Sequence, residues 1–398
     1  MIDPVHNPRA DHFWNIVASA TYTNADDQIT QMGVHGGDLL EVPLHYALRQ
    51  LQDPTAAQQA QLRRGLILQR AAEAIHETVL VTNRAVLLDP IPGLPDLPHG
   101  RYALRPAVAL VFVGHWLRAK GEYILQAGTH STIRTDRVAF YSLATESLVP
   151  AGWRWSRAFS QTAPSEQRHL RQLQASQSSR IAAALKARDR TWAAALSMST
   201  SDAQEEAIDC VVDVAMNLMG AYDATAQMVE LLNPTETPLH NSKWQFKNWT
   251  KKQRKSLPDL LATFGRHQSI LDIIRILRNT IHGRCMEGRL VRYPHIARPD
   301  EFYLALPEEQ TDELRRAFEG SGGLHQWKVQ LSRGHLQADP DFLIQNMIIQ
   351  AATALDEMMD ATPVAQLLKL STEPSANPPD EGLFNERNRS NARRQIGL

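Results

Sequence analysis

Residues 269–284 read S-I-L-D-I-I-R-I-L-R-N-T-I-H-G-R, and this stretch decides how the rest of the chain is understood. Ile270, Ile273, Ile274, Leu277 and Ile281 recur at steps of three and four, the signature of one buried helical face. The polar residues keep the same rhythm: Asp272, Arg275, Asn279 and His282 are separated by 3, 4 and 3, and Arg278 stands four before His282. Residues three, four and seven apart share a helix face. Two arginines, an asparagine and a histidine therefore converge on one patch, and Gly283 supplies a C-terminal stop.

Upstream, Ser201 to Leu232 is a second long helical pattern, opened by a capping serine and ended by Asn233-Pro234. It carries acids at 202, 205, 206, 209, 213, 223 and 230 and neither Lys nor Arg. Residues 241–255 reverse the sign, with six basic residues, no acid, and Trp244, Phe246 and Trp249 interleaved among them. Across 241–292, twelve Lys or Arg face three Asp or Glu, a surplus of nine positive charges on a chain of net charge −1. A short helix from Ser256 to Phe264 leads into the opening stretch. Downstream, Glu301 to Leu306 and Gln326 to Leu331 read as strands of a small inserted hairpin. Asp339-Pro340 is an N-cap followed by proline at the first helical position. It opens a helix to about Asp360 with Phe342, Leu343, Met347, Ile348, Ala352, Leu355 and Met359 facing inward. Residues 371–398, proline-, Asn- and Arg-rich with few large apolar groups, predict a disordered tail.

The first half of the chain also reads as helical. Residues 8–53 form an interrupted pattern: an amphipathic helix at His12–Tyr22, a turn at Asn24–Asp27, a break at Gly36-Gly37 and a helix over 38–52. A longer pattern covers 55–88. Prolines at 90, 92, 95 and 98 make 89–100 a rigid crossing loop. Arg105–Gln126 predicts another helix. Residues 127–163 are ambiguous, and Ser165–Leu196 is a basic helix. The expected fold class is all-α: an N-terminal helical domain of unknown type and role (1–198), a helical bundle with a small β insert (199–370) and the tail (371–398).

Composition restricts the function classes. Apolar content of 43% and charged content of 21% are ordinary for a globular protein. The two cysteines, Cys210 and Cys285, form no disulfide framework and no zinc spacing, which suits a reducing cytoplasm. The fifteen histidines show no H-E-x-x-H pattern, and phosphate-binding glycine motifs are absent, so no metal and no cofactor is expected. The longest apolar run, Ala107–Val113, is too short to span a bilayer, and no membrane partner is expected.

Two readings fit the polar face of 269–284. One is a solvated helix surface with basic residues at the negative end of the helix dipole. The other is a phosphodiester site, in which arginine forks grip phosphate oxygens and a histidine moves a proton near neutral pH. Residues 241–255 divide the same way. Lys243, Lys247, Lys251 and Lys252 could neutralise an RNA backbone while Trp249 stacks on a base. Alternatively, the basic stretch pairs with the acidic helix and its tryptophans are core.

The segment L-R-N-T-I-H-G resembles the signature of HEPN domains, helical bundles that commonly act as metal-independent ribonucleases, and the resemblance covers about residues 200–365. The family motif is an arginine, often followed by a polar residue, with a histidine four to six residues further on. Here Arg278-Asn279 supplies the pair, with three residues before His282. Arg275 has the six-residue gap but is followed by Ile276. The resemblance implies RNA cleavage by attack of a 2′-hydroxyl on the adjacent phosphate. His282 would be acid or base, Arg278 would stabilise the transition state, Asn279 would orient, and Arg275 would support the substrate. It further implies a homodimer with both motifs in one cleft, a cytoplasmic role in anti-phage defence, toxin–antitoxin pairing or stress, and an antitoxin or regulatory protein as a possible partner. Because some members have lost catalysis, a silent HEPN-like scaffold binding RNA or protein is the alternative.

Overall fold

The computed structural model describes residues 106–126, 132–162, 164–196, 201–282, 286–291, 301–332, 334–375, 380 and 382–398, together with short strands nearer the N-terminus. The chain forms two compact units, Met1–Leu110 with Arg292–Glu301, and Val111–Val291 with Phe302–Leu398. The described residues are predominantly helical.

In the first unit, β1 (Val5–His6), β2 (Ile16–Thr23) and β3 (Ile29–His35) form an antiparallel sheet, with Thr23 opposite Ile29 and Val5 opposite Ser19. β4 (Leu80–Val81) pairs in parallel with β5 (Ala103–Leu104). These strands correct the helices expected at 12–22 and across 80–81. The run I-V-A-S-A-T-Y-T over 16–23 is rich in β-branched residues, whose side chains pack well on a pleated surface and crowd a helix. The remainder of the helices expected at 38–52 and 55–88 lies outside the described residues.

The second unit is a helical assembly. α1 (Pro106–Ala119) stops earlier than expected, because Gly121 turns the chain at φ +80° into the hairpin β6 (Tyr123–Gln126) and β7 (Thr132–Thr135). Then come α2 (Arg137–Leu148), α3 (Ala151–Ser160), α4 (Pro164–Leu196) and α5 (Ser201–Leu232). The boundary expected at 198/199 falls inside this unit, for α4 and α5 make its most extensive helix–helix contact. α5 is the central rod, packing also on α8 (Gln268–Arg278) and α10 (Pro340–Asp360). Cys210, Val214, Leu218, Ala221, Tyr222, Met228 and Val229 bury most of its circumference, which confines its polar residues to a narrow stripe.

Between α5 and α8 lie α6 (Lys247–Ser256) and α7 (Pro258–Arg266). Beyond α8, β8 (Glu287–Val291), β9 (Glu301–Ala305), α9 (Thr311–Gly320), β10 (Val329–Ser332) and β11 (His335–Ala338) follow. The strands form one sheet in the order β10-β11-β9-β8, so the expected hairpin is a four-stranded sheet whose tight turn joins β10 to β11. Asp339 caps α10 as its sequence predicts, accepting from the Asp341 and Phe342 amides at 2.9 and 3.3 Å. Phe342 itself stays half-exposed, with the Lys328 ammonium 3.2 Å from its ring centre.

Residues 382–398 of the expected disordered tail are ordered, which corrects the reading of their composition. After the single turn α11 (Val364–Leu367), α12 (Glu386–Gln395) seats on α2, with Ala392 and Ile396 fully buried. Two buried arginines hold its main chain. Arg118 Nη2 donates to the Gln395 carbonyl at 2.9 Å, and Arg188 Nε donates to the Ile396 carbonyl at 2.9 Å. Local composition gave no sign of this, because the partners come from elements 277 and 208 residues away. Among the described residues, no helix is long and apolar enough to cross a membrane.

Candidate functional site

The helix of the opening stretch is more deeply set than one amphipathic stripe requires. Ile270, Leu271, Ile273, Ile274, Ile276 and Leu277 are all buried, each side chain contributing about 1.5–3 kcal/mol of burial energy. Only its polar residues reach the surface region: Asp272, Arg275, Arg278 and Asn279 are each half-buried. The α-helix stops at Arg278, ahead of the Gly283 stop, which lies outside the described residues. The Asn279 amide is shared among the carbonyls of Arg275, Ile276 and Leu277, and Thr280 Oγ1 donates to the Leu277 carbonyl at 2.6 Å. These bonds satisfy otherwise open carbonyls and tighten the chain into a 3-10 turn over Asn279–His282. The turn's backbone carries His282, whose side chain lies outside the described residues.

The two arginines have different fates. Arg275 Nη2 donates to Glu313 Oε1 on α9 and lies 3.6 Å from Asp272 Oδ1, so its charge is already matched. Its expected substrate contact would have to compete with these two carboxylates. Arg278 makes no hydrogen bond or ion pair with a described residue.

The charge of Arg278 acts on a carboxylate that the sequence did not mark out. Asp223, on the polar stripe of α5, has its Oδ2 3.9 Å from Lys243 Nζ, and its Oδ1 is buried without a hydrogen-bond partner. Burial pushes its carboxyl upward, while the charges of Lys243, Arg278 and Arg180 pull it back only in part. Of its neighbours on the stripe, Asp213 is spent on an ion pair with Arg190, and Asn217 donates to the Asp213 carbonyl at 2.8 Å. The available signal was periodicity: Asn217, Gly220 and Asp223 continue the spacing of Asp209 and Asp213 along one face.

The basic aromatic segment resolves into a core edge and a charged edge. Trp244 and Trp249 are 2% and 1% exposed and meet edge-to-face at 5.1 Å. Trp244 Nε1 donates to the Tyr222 carbonyl at 2.9 Å, and Trp249 Nε1 donates to Glu230 Oε2 at 2.8 Å. Trp249 therefore offers no face for a stacked base, which corrects its expected substrate role. Buried Glu230 is saturated by this indole, the Gln253 amide at 3.0 Å and the Thr235 N–H and hydroxyl at 2.7 and 2.9 Å. The acidic and basic stretches thus do pair, through hydrogen bonds at Glu230 and the ion pair at Asp223. Phe246 is the aromatic left at the surface, 40% exposed. Lys247, Lys251 and Lys252 project from α6 into solvent, Lys252 reaching the Thr235 carbonyl at 3.1 Å.

A Trp249→Phe substitution tests this division. It keeps an aromatic ring and removes the donor to Glu230, so urea denaturation should show about 1–2 kcal/mol lost.

Comparison of the chain with protein-family models, with curated proteins and with solved structures yields no match.

Proposed function

We propose that the protein is a HEPN-like endoribonuclease. The observation that carries this reading is the state of Arg278: half-buried, without an ion-pair partner among the described residues, at the end of a helix locked into the core, and with its charge acting on Asp223. An unmatched guanidinium on a rigid element is suited to an anionic ligand, because its position is set in advance and its donors are free.

In this reading a phosphodiester lies across Arg278. His282, one helical turn further along the chain, takes the proton of the ribose 2′-hydroxyl or gives one to the departing 5′-oxygen. The 2′-oxygen bonds to phosphorus as the P–O5′ bond breaks, leaving a 2′,3′-cyclic phosphate on one fragment and a 5′-hydroxyl on the other. Arg278 stabilises the charge of the pentacoordinate state, and Asn279 orients the substrate or the histidine. Lys247, Lys251 and Lys252 hold the flanking backbone. Two copies bring two such motifs to one cleft. The activity serves defence, toxin–antitoxin control or stress, with an antitoxin or regulator as its restraint.

The test is cleavage of single-stranded RNA by purified protein in the presence of EDTA, comparing wild type with His282→Ala. Wild-type cleavage should yield cyclic-phosphate ends, and the variant should lose it by about 10²–10⁴-fold. Equal cleavage by both proteins, or cleavage by neither, removes the nuclease assignment. RNA bound tightly but left intact would assign the silent scaffold instead. Light scattering of the same samples tests the dimer.

A further inference from the structure

The helix before the acidic one also reaches this region. Arg180, on α4, lies across α5 at Gly220: a Cβ built there would stand 2.3 Å from Arg180 Nη1 and 2.6 Å from its Cζ. Glycine is the poorest helix former after proline, and Gly220 sits near the middle of a 32-residue helix. Its lack of a side chain is what lets the guanidinium lie flat on the helix. Gly220 is three residues before Asp223, on the same face. Arg180 is exposed and makes no hydrogen bond or ion pair with a described residue.

We propose that Arg180, seated on Gly220, joins Lys243 and Arg278 around Asp223 to form a phosphate-binding site whose cations come from three separate segments of the chain. The charge count supports it. One carboxylate stands among three cations, so two positive charges remain uncompensated, and two of the cations are forks able to bind phosphate oxygens in pairs. Asp223 keeps the cations together when no anion is present. Its position on a buried rod fixes where they stand. The ligand is a phosphodiester of single-stranded RNA. The inference rests on the ribonuclease reading for that identity, and on the geometry alone for the anion site.

The experiment measures binding of a fluorescein-labelled single-stranded RNA oligonucleotide by anisotropy over a salt series, on the His282→Ala background so that no cleavage intervenes. Arg180→Gln should weaken binding by about tenfold and reduce the slope of log affinity against log salt by about 0.7, the loss of one phosphate contact on a single strand. Gly220→Ala should do the same by displacing the guanidinium, while its melting temperature holds or rises because alanine favours the helix. The double variant should be no weaker than either single one, since both remove the same contact. Unchanged affinity and slope in both single variants would overturn the site. The nuclease reading fails on a different result, equal cleavage with and without His282, so the two can fall separately.

Discussion

Asp189→Ala should be the most damaging single substitution in the helical unit, lowering its unfolding free energy by about 3–5 kcal/mol. Asp189 is 7% exposed and accepts from Arg118 Nε at 2.7 Å, Arg118 Nη2 at 2.8 Å and the Tyr141 hydroxyl at 2.5 Å, with His115 Nδ1 3.5 Å away. Removing it leaves the Arg118 guanidinium, itself 6% exposed, charged and stripped of its main partner. Arg118 also holds the Gln395 carbonyl, so the loss extends to the seat of α12. Domains of this size are stable by about 5–15 kcal/mol, and such a change takes a large share. Urea denaturation at neutral pH measures it, and a loss below about 1 kcal/mol would show that the network is dispensable. The same carboxylate gives a pH signature. Burial pushes its pKa up, but nearby His115 and the hydrogen bonds from Arg118 and Tyr141 outweigh burial and hold it at about 2, below the ordinary 3.8. A depressed folded-state value contributes stability that is fully present above about pH 4 and lost as the pH falls toward 2, on the order of 2 kcal/mol. In Asp189→Ala that part of the acid limb should flatten.

On the proposed ribonuclease reading, Arg278→Gln should reduce kcat/KM on RNA by about 10²–10³-fold, the cost of removing one preorganised donor from a developing anion. Arg275→Gln, three residues earlier on the same helix, should cost less than about tenfold. The reason is pairing: Glu313 and Asp272 already hold Arg275, whereas Arg278 has no such partner among the described residues. Arg275→Gln should instead reduce stability slightly, by about 0.5–1 kcal/mol, since the pair with Glu313 is partly exposed. Equal losses in the two variants would remove the distinction between the arginines, and a larger loss at Arg275 would reverse it.

The long periodic helices were legible from sequence, because burial of one face writes a repeating pattern: α4, α5 and α10 stand close to their expected bounds. So was the cap at Asp339, whose chemistry is local. What failed was non-local. Nothing in N-E-R-N-R-S-N-A-R-R-Q announces a seated helix, since the groups that hold it, Arg118 and Arg188, lie far off in the chain. Trp249 looked like a stacking residue among lysines because its partner, Glu230, belongs to another helix. The site was half-readable for the same reason. Arg278 and Asn279 belong to one stretch and were visible together. Asp223 and Arg180 join them only through packing, and α5 looked uniformly acidic until burial separated its stripe from its core.

The seat of α12 has a kinetic corollary. Helices at the ends of a folded unit normally fray first, and unfolding spreads inward from them. Here the opening stretch of the helical unit, through Arg118, grips its closing stretch, through Gln395, across 277 positions of chain. Closing so long a loop costs only logarithmically more entropy than closing a short one. In return, the described closing helix is tied to the start of the unit, so amide exchange in α12 should be slower than at a frayed end.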